Sequence, residues 1–259
     1  MMMRLPGIVF MTMALTVPTA AAAPDNWCVS SLRGTWDGGA CLVTVTSNSK
    51  ATMDISVQLP DEVIDDSTVG PVLRAYAERR VSEWRKAGDT NVRDSSSAID
   101  SRVYVHSNSV KSVVLHEVWR TEGTNANNAY RTFTFDLAQG RRLVLADLFR
   151  PGVDPRTALP PLARPFLLDA LDAAAPPHDP GSYPFATQEW EPQPDGSGYS
   201  GEYRAFALTG DELILYMPDV PMAHENPTPR DRLVWSMDGG AVTVRIPLPS
   251  LRPILRAGL

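Results

Sequence analysis

Two cysteines and four histidines are all that this chain offers for thiol, imidazole or metal chemistry. A metal centre needs several such groups converging, and Cys28 and Cys41 have no histidine near them, so they make half a site at best. His116-Glu117 lacks the second histidine of a zinc-protease helix, since Arg120 stands at that position and the local pattern is that of a strand. No Gly-rich phosphate loop follows a strand and opens a helix, so no cofactor is expected. Long apolar runs are missing beyond the N-terminus, which leaves no later segment with the ~20 residues a spanning helix needs. Runs of one charge sign are missing as well. The formal charge is −6, and with no long run of basic residues this gives no electrostatic footprint for nucleic acid and no general attraction to anionic lipid.

What is present begins with an export signal. Met1 to Arg4 is positively charged, Leu5 to Val17 is mostly apolar, and Thr19 to Ala23 offers small residues at the spacing a signal peptidase reads. Pro6 and Gly7 break an apolar run already too short for an anchor. Pro24 is a poor first residue after a cut, so residues 1–22 read as a Sec signal peptide cleaved after Ala22, and the mature chain as secreted. Loss of Arg4 takes the formal charge from −6 to −7. In an oxidising compartment Cys28 and Cys41 read as a disulfide, which ties the N-terminus to a strand and stabilises the fold by about 3 kcal/mol.

The clearest structural signal runs from Ala129 to Gly152. Arg131, Phe133, Phe135 and Leu137 alternate with Tyr130, Thr132 and Thr134, a period of two that puts the phenylalanines and Leu137 on a core face. Gln139-Gly140 makes a tight turn into an extended run of Leu143, Val144 and Leu145, and Pro151-Gly152 stops the unit. Upstream, Cys41 to Thr46 and Met53 to Leu59 predict a hairpin. From Ser67 the period changes: Val69, Val72, Leu73, Tyr76, Ala77, Val81 and Trp84 form one helical stripe, with Pro71 in the first turn and Gly88 beyond the end. Ala98 to Ser107 and Val110 to Arg120 predict two long strands with Val103, Val105, Val113, Leu115 and Val118 in the core. Asp154-Pro155 starts a second helix, in which Pro165 predicts a kink or a second start. Tyr203 to Leu208 with Leu213 to Met217, and Leu233 to Met237 with Val242 to Ile246, predict two further hairpins. A short helix follows Pro249. No repeat or linker divides residues 23–259, so the expectation is an α+β single domain: a twisted, mostly antiparallel β-sheet packed against one main helix, plus a Pro-kinked helix.

Candidate functional residues are few. Pro176 to Gly201 is a long Pro-rich stretch carrying Tyr183, Phe185, Trp190 and Tyr199, which either staple it onto the domain or present a ligand surface. A second Pro-rich loop runs from Pro218 to Pro229. Gly198-Tyr199-Ser200-Gly201-Glu202 approaches the G-x-S-x-G elbow of serine hydrolases but fails at its last position and precedes a strand rather than a helix. His106 and His116 are expected to face each other across a strand pair. Asp65-Asp66 and Asp169 to Asp172 read as helix-start and exposed-face charges.

The Cys28 to Cys41 loop with Leu32-Arg33-Gly34-Thr35, the block from Tyr130-Arg131-Thr132-Phe133 through Asp147-Leu148-Phe149 to Asp154-Pro155, the Tyr203 to Asp211 hairpin and Val244 to Ser250 occur together behind an export signal. In that order they resemble the MPT64/RsiV-like family of secreted and extracytoplasmic domains (DUF3298). The resemblance implies an immunogenic protein exported by an actinobacterium, which binds rather than transforms. Its ligand would be another protein or a cell-envelope component held through surface loops, with a lysozyme-like partner by family analogy. A secreted serine esterase or lipase is the alternative. Where the family often has Gly-Gly-Thr-His-Pro, this chain has Glu122-Gly123-Thr124-Asn125-Ala126, so no role of that histidine transfers.

Overall fold

The computed structural model describes residues 24–121, 127–173, 179–182, 187–195, 198–199, 201–217 and 242–259. The leader expected at residues 1–22 therefore lies outside the described residues, as do Tyr183, Phe185, Ser200, the Glu122 to Ala126 link, the loop from Pro218 and the strand expected at Leu233 to Met237.

After an N-terminal helix, α1 (Pro24–Ser30), seven strands form one sheet in sequence order: β1 (Thr35–Trp36), β2 (Cys41–Thr46), β3 (Thr52–Val57), β4 (Ser95–Ser107), β5 (Val110–Thr121), β6 (Asn127–Asp136) and β7 (Arg141–Leu143). Every neighbouring pair is antiparallel except β3 and β4. Those two run parallel because a crossover lies between them, made of one turn, α2 (Asp61–Ile64), and the main helix, α3 (Gly70–Gly88). The main helix has Pro71 in its first turn, and it buries Leu73, Ala77, Val81 and Trp84 along the predicted stripe. These side chains meet Val43, Met53, Ile55, Ile99, Leu115, Phe133 and Phe135 from the sheet face that alternation assigns to them. Gly88 closes α3 as its last residue rather than following it.

Cys28 on α1 is bonded to Cys41 at the start of β2, with an S–S length of 2.02 Å. Gly34 passes so close beneath this bridge that a Cβ there would lie 2.6 Å from Cys41 Sγ and 2.6 Å from the Leu42 carbonyl. Trp27 Nε1 donates to Glu78 Oε1 on α3 at 2.8 Å, so the same short helix is fastened twice.

The later strands do not extend this sheet. Among the described residues, β8 (Phe206–Leu208), β9 (Glu212–Met217) and β10 (Val242–Pro247) form a second, three-stranded antiparallel sheet. One face packs on the first sheet, where Ala205, Ala207, Ile214 and Tyr216 meet Val114. The other carries Leu213, Leu215, Met217, Val244 and Ile246 and packs against the second long helix through Ala163, Leu167 and Leu171. The layers are therefore helix, seven-stranded sheet, three-stranded sheet, helix.

Some expectations need correction. Val105 is 57% exposed, because it lies where the covering layer ends, and Val118 is half-buried. The extended run expected at Leu143 to Leu145 stops at Leu143, and a single 3-10 turn takes over from Leu145 to Leu148. Asp154 does cap a helix, accepting from the Arg156 N–H, but that helix, α4 (Pro155–Ala158), is one turn long. The second start falls at Pro160, and the long helix it opens, α5 (Pro160–Ala173), runs through Pro165. The last helix, α6 (Leu248–Leu251), begins one residue before Pro249.

Candidate functional site

Where the two sheets meet, the first sheet's outward face is polar and aromatic. Asp100, Arg102 and Tyr104 alternate along β4 and so share that face. His116 on β5 pairs in register with Asp100 on one side and Tyr130 of β6 on the other. Tyr216 of β9 and Arg245 of β10 close the opposite wall of a cleft of about 390 Å³.

The aromatic wall is continuous. His116 stacks on Tyr130 with centroids 4.7 Å apart, and Tyr130 lies 4.9 Å from Tyr216. Tyr216 donates its hydroxyl proton to the Tyr104 oxygen at 3.1 Å, and Arg102 Nη1 donates to the same oxygen at 3.3 Å. Loss of hydration pushes the Tyr104 phenol up, but the hydrogen bonds from Tyr216 and Arg102 and the charges of Arg102 and Arg245 outweigh it, leaving the group below the ordinary tyrosine value. Burial pushes Tyr216 up, and donating to Tyr104 reinforces this. Burial also raises Tyr130. Arg245 is held by Glu212 at 2.8 Å. Stacking rings beside two guanidiniums suit a planar or sugar-like group bearing polar or anionic substituents.

Among the described residues the cleft joins no serine hydroxyl to a histidine. Ser101 lines the cleft, yet its hydroxyl donates to the Gln58 carbonyl at 2.8 Å, away from His116. His106 and His116 do not face each other: His116 opposes Asp100, and a register shift between Val105 and Ser107 takes His106 out of the ladder. His106 Nδ1 instead lies 2.6 Å from the Thr209 carbonyl. Among the described residues no group of three or more His, Cys, Asp or Glu side chains could hold a metal ion.

Of the loop aromatics, Trp190 and Tyr199 are 4% and 5% exposed and pack in the core around α5. Tyr183 and Phe185 lie outside the described residues. Glu191, buried beside Trp190, takes a two-pronged contact from Arg164 at 2.7 and 2.8 Å. Asp66 accepts from the Thr68 and Val69 N–H groups ahead of α3, and Asp172 accepts from Gly181, so these carboxylates hold backbone. The cleft itself was not legible, because alternation along β4 marks Arg102 and Tyr104 as a non-core face without showing that a second sheet rises beside it.

No family model matches the chain, and no curated protein matches it. Among solved structures it is similar to a DUF3298 family protein from Pseudomonas aeruginosa PAO1, with a TM-score of 0.51, 16% identity, and coverage of 84% of this chain and 92% of that one. A DUF3298 member from Bacteroides fragilis gives a TM-score of 0.48 at 17% identity, with coverage of 84% and 92%. By the first of these likenesses the chain shares the fold of a DUF3298 family protein.

Proposed function

We propose that the protein is an exported binding protein that holds a protein or cell-envelope ligand without transforming it, as the MPT64/RsiV-like resemblance implies. The observation that carries this reading is the placement of the two described histidines, one against a backbone carbonyl and one stacked on a tyrosine, with no hydrogen bond from either to a serine or threonine hydroxyl among the described residues. The disulfide supports an oxidising compartment, and no helix among the described residues is long and apolar enough to cross a membrane.

The ligand seat is the cleft between the sheets. Affinity capture from envelope and extracellular extracts, run in parallel with the mature protein and with Arg102→Gln, tests this. A species retained by the first and lost by the second supports the cleft; equal retention by both removes it.

A further inference from the structure

Among the described residues, β6 has a strand partner along only part of its outer side. β7 pairs with Thr134, Phe135 and Asp136 alone, which leaves the first part of β6 without a strand neighbour there among the described residues. The Thr132 carbonyl points out on that side and accepts from Arg142 Nη2 at 2.9 Å; by strand alternation the Tyr130 backbone points the same way. A groove of about 220 Å³ runs along this edge, and four arginines line it: Arg79 from α3, Arg131 from β6, Arg142 from β7 and Arg204 ahead of β8.

Among the described residues that line the groove there is no carboxylate. Arg131 Nε donates to the Tyr76 hydroxyl at 3.1 Å, Arg79 lies over the Tyr76 ring at 5.4 Å, and Arg142 lies over Phe133 at 4.5 Å. The nearby buried Glu117 is engaged by the Tyr76 hydroxyl and by Arg80 at 3.2 Å. Arg142 is exposed as a residue, yet partial loss of hydration at its guanidinium draws its pKa below the usual arginine value. Three of these guanidiniums thus rest on neutral oxygens or ring faces, where an anion would be favourable.

We propose that this arginine-rimmed edge binds an extended acidic peptide segment, whose carboxylates meet the guanidiniums while its backbone runs along β6 at Tyr130. An open strand edge presents directional N–H and C=O groups at a fixed repeat, which a polypeptide matches and a small oxyanion does not. Among the described residues the site shares only Tyr130 with the cleft described above. The inference rests on the binding-protein reading, and loss of extract capture by Arg102→Gln without any peptide binding here would defeat this inference alone.

The test is fluorescence anisotropy of labelled hexaglutamate with the mature protein, compared with hexalysine, with hexaglutamate N-methylated at alternate residues, and with sodium sulfate as competitor. Hexaglutamate is expected to bind and hexalysine not to. Arg142→Gln and Arg79→Gln, both at exposed positions, are each expected to weaken binding by about tenfold, as loss of one charge-assisted contact implies, while Arg256→Gln leaves it unchanged. N-methylation is expected to weaken it comparably. Absent binding, equal binding of the N-methylated peptide, or full displacement by sulfate at equimolar concentration would overturn the proposal.

Discussion

The Leu208 backbone N–H donates to Ser112 Oγ at 3.0 Å, so the edge of the small sheet is satisfied by a hydroxyl standing on the face of the large one. Ser112 is fully buried and shares a 2.9 Å contact with Thr134 Oγ1, while Thr132 Oγ1 accepts from the Phe206 N–H at 2.9 Å. An edge strand buried without such partners would leave orphaned donors. Ser112→Ala is therefore expected to destabilise the protein by about 1–3 kcal/mol, the cost of leaving a buried N–H unpaired, as read from urea unfolding. A change near zero would show that the sheets do not depend on this contact.

The disulfide gives a second expectation. A free-thiol assay of folded protein should find none, and the paired change Cys28→Ser with Cys41→Ser should cost about 3 kcal/mol on the loop-entropy account. Two titratable thiols in the native protein would contradict the pairing.

Asp94 supplies a pH dependence. The Thr52 N–H and hydroxyl both donate to its Oδ1, at 2.7 and 3.0 Å, and the backbone bond foremost holds its carboxyl below the usual range. Because the folded pKa is the lower one, its stabilisation is complete above the unfolded value and is lost as pH falls through the folded value. Asp94→Asn should thus be less stable than wild type at neutral pH, with the gap closing under acid. A gap independent of pH would rule out the carboxylate as its source.

Much of this fold could be read in advance because its strands and main helix obey simple periods. Phe133 and Phe135 alternate with Thr132 and Thr134, and Leu73, Ala77, Val81 and Trp84 repeat at helical spacing, so both core faces follow from local pattern. The role of Thr132 and Ser112 did not, since a threonine or serine on a strand reads the same whether it faces water or caps another sheet's edge. Val105 misled for the complementary reason: its β-branched side chain suits a strand, but the layer beneath it has already ended.

Tyr104 offers a spectroscopic check on the cleft. It should be the first of the cleft tyrosines to ionise, below the ordinary value of about 10, while Tyr216 stays protonated. The early step in a phenolate absorbance titration should vanish in Tyr104→Phe. Its persistence would show that Arg102 and Tyr216 do not act on this phenol as the geometry requires.

The claim of binding without catalysis is tested most directly by treating the purified mature protein with a fluorophosphonate probe and weighing the intact product. The account predicts no stoichiometric adduct. A single adduct, abolished by Ser200→Ala or by any other one serine-to-alanine change, would contradict it.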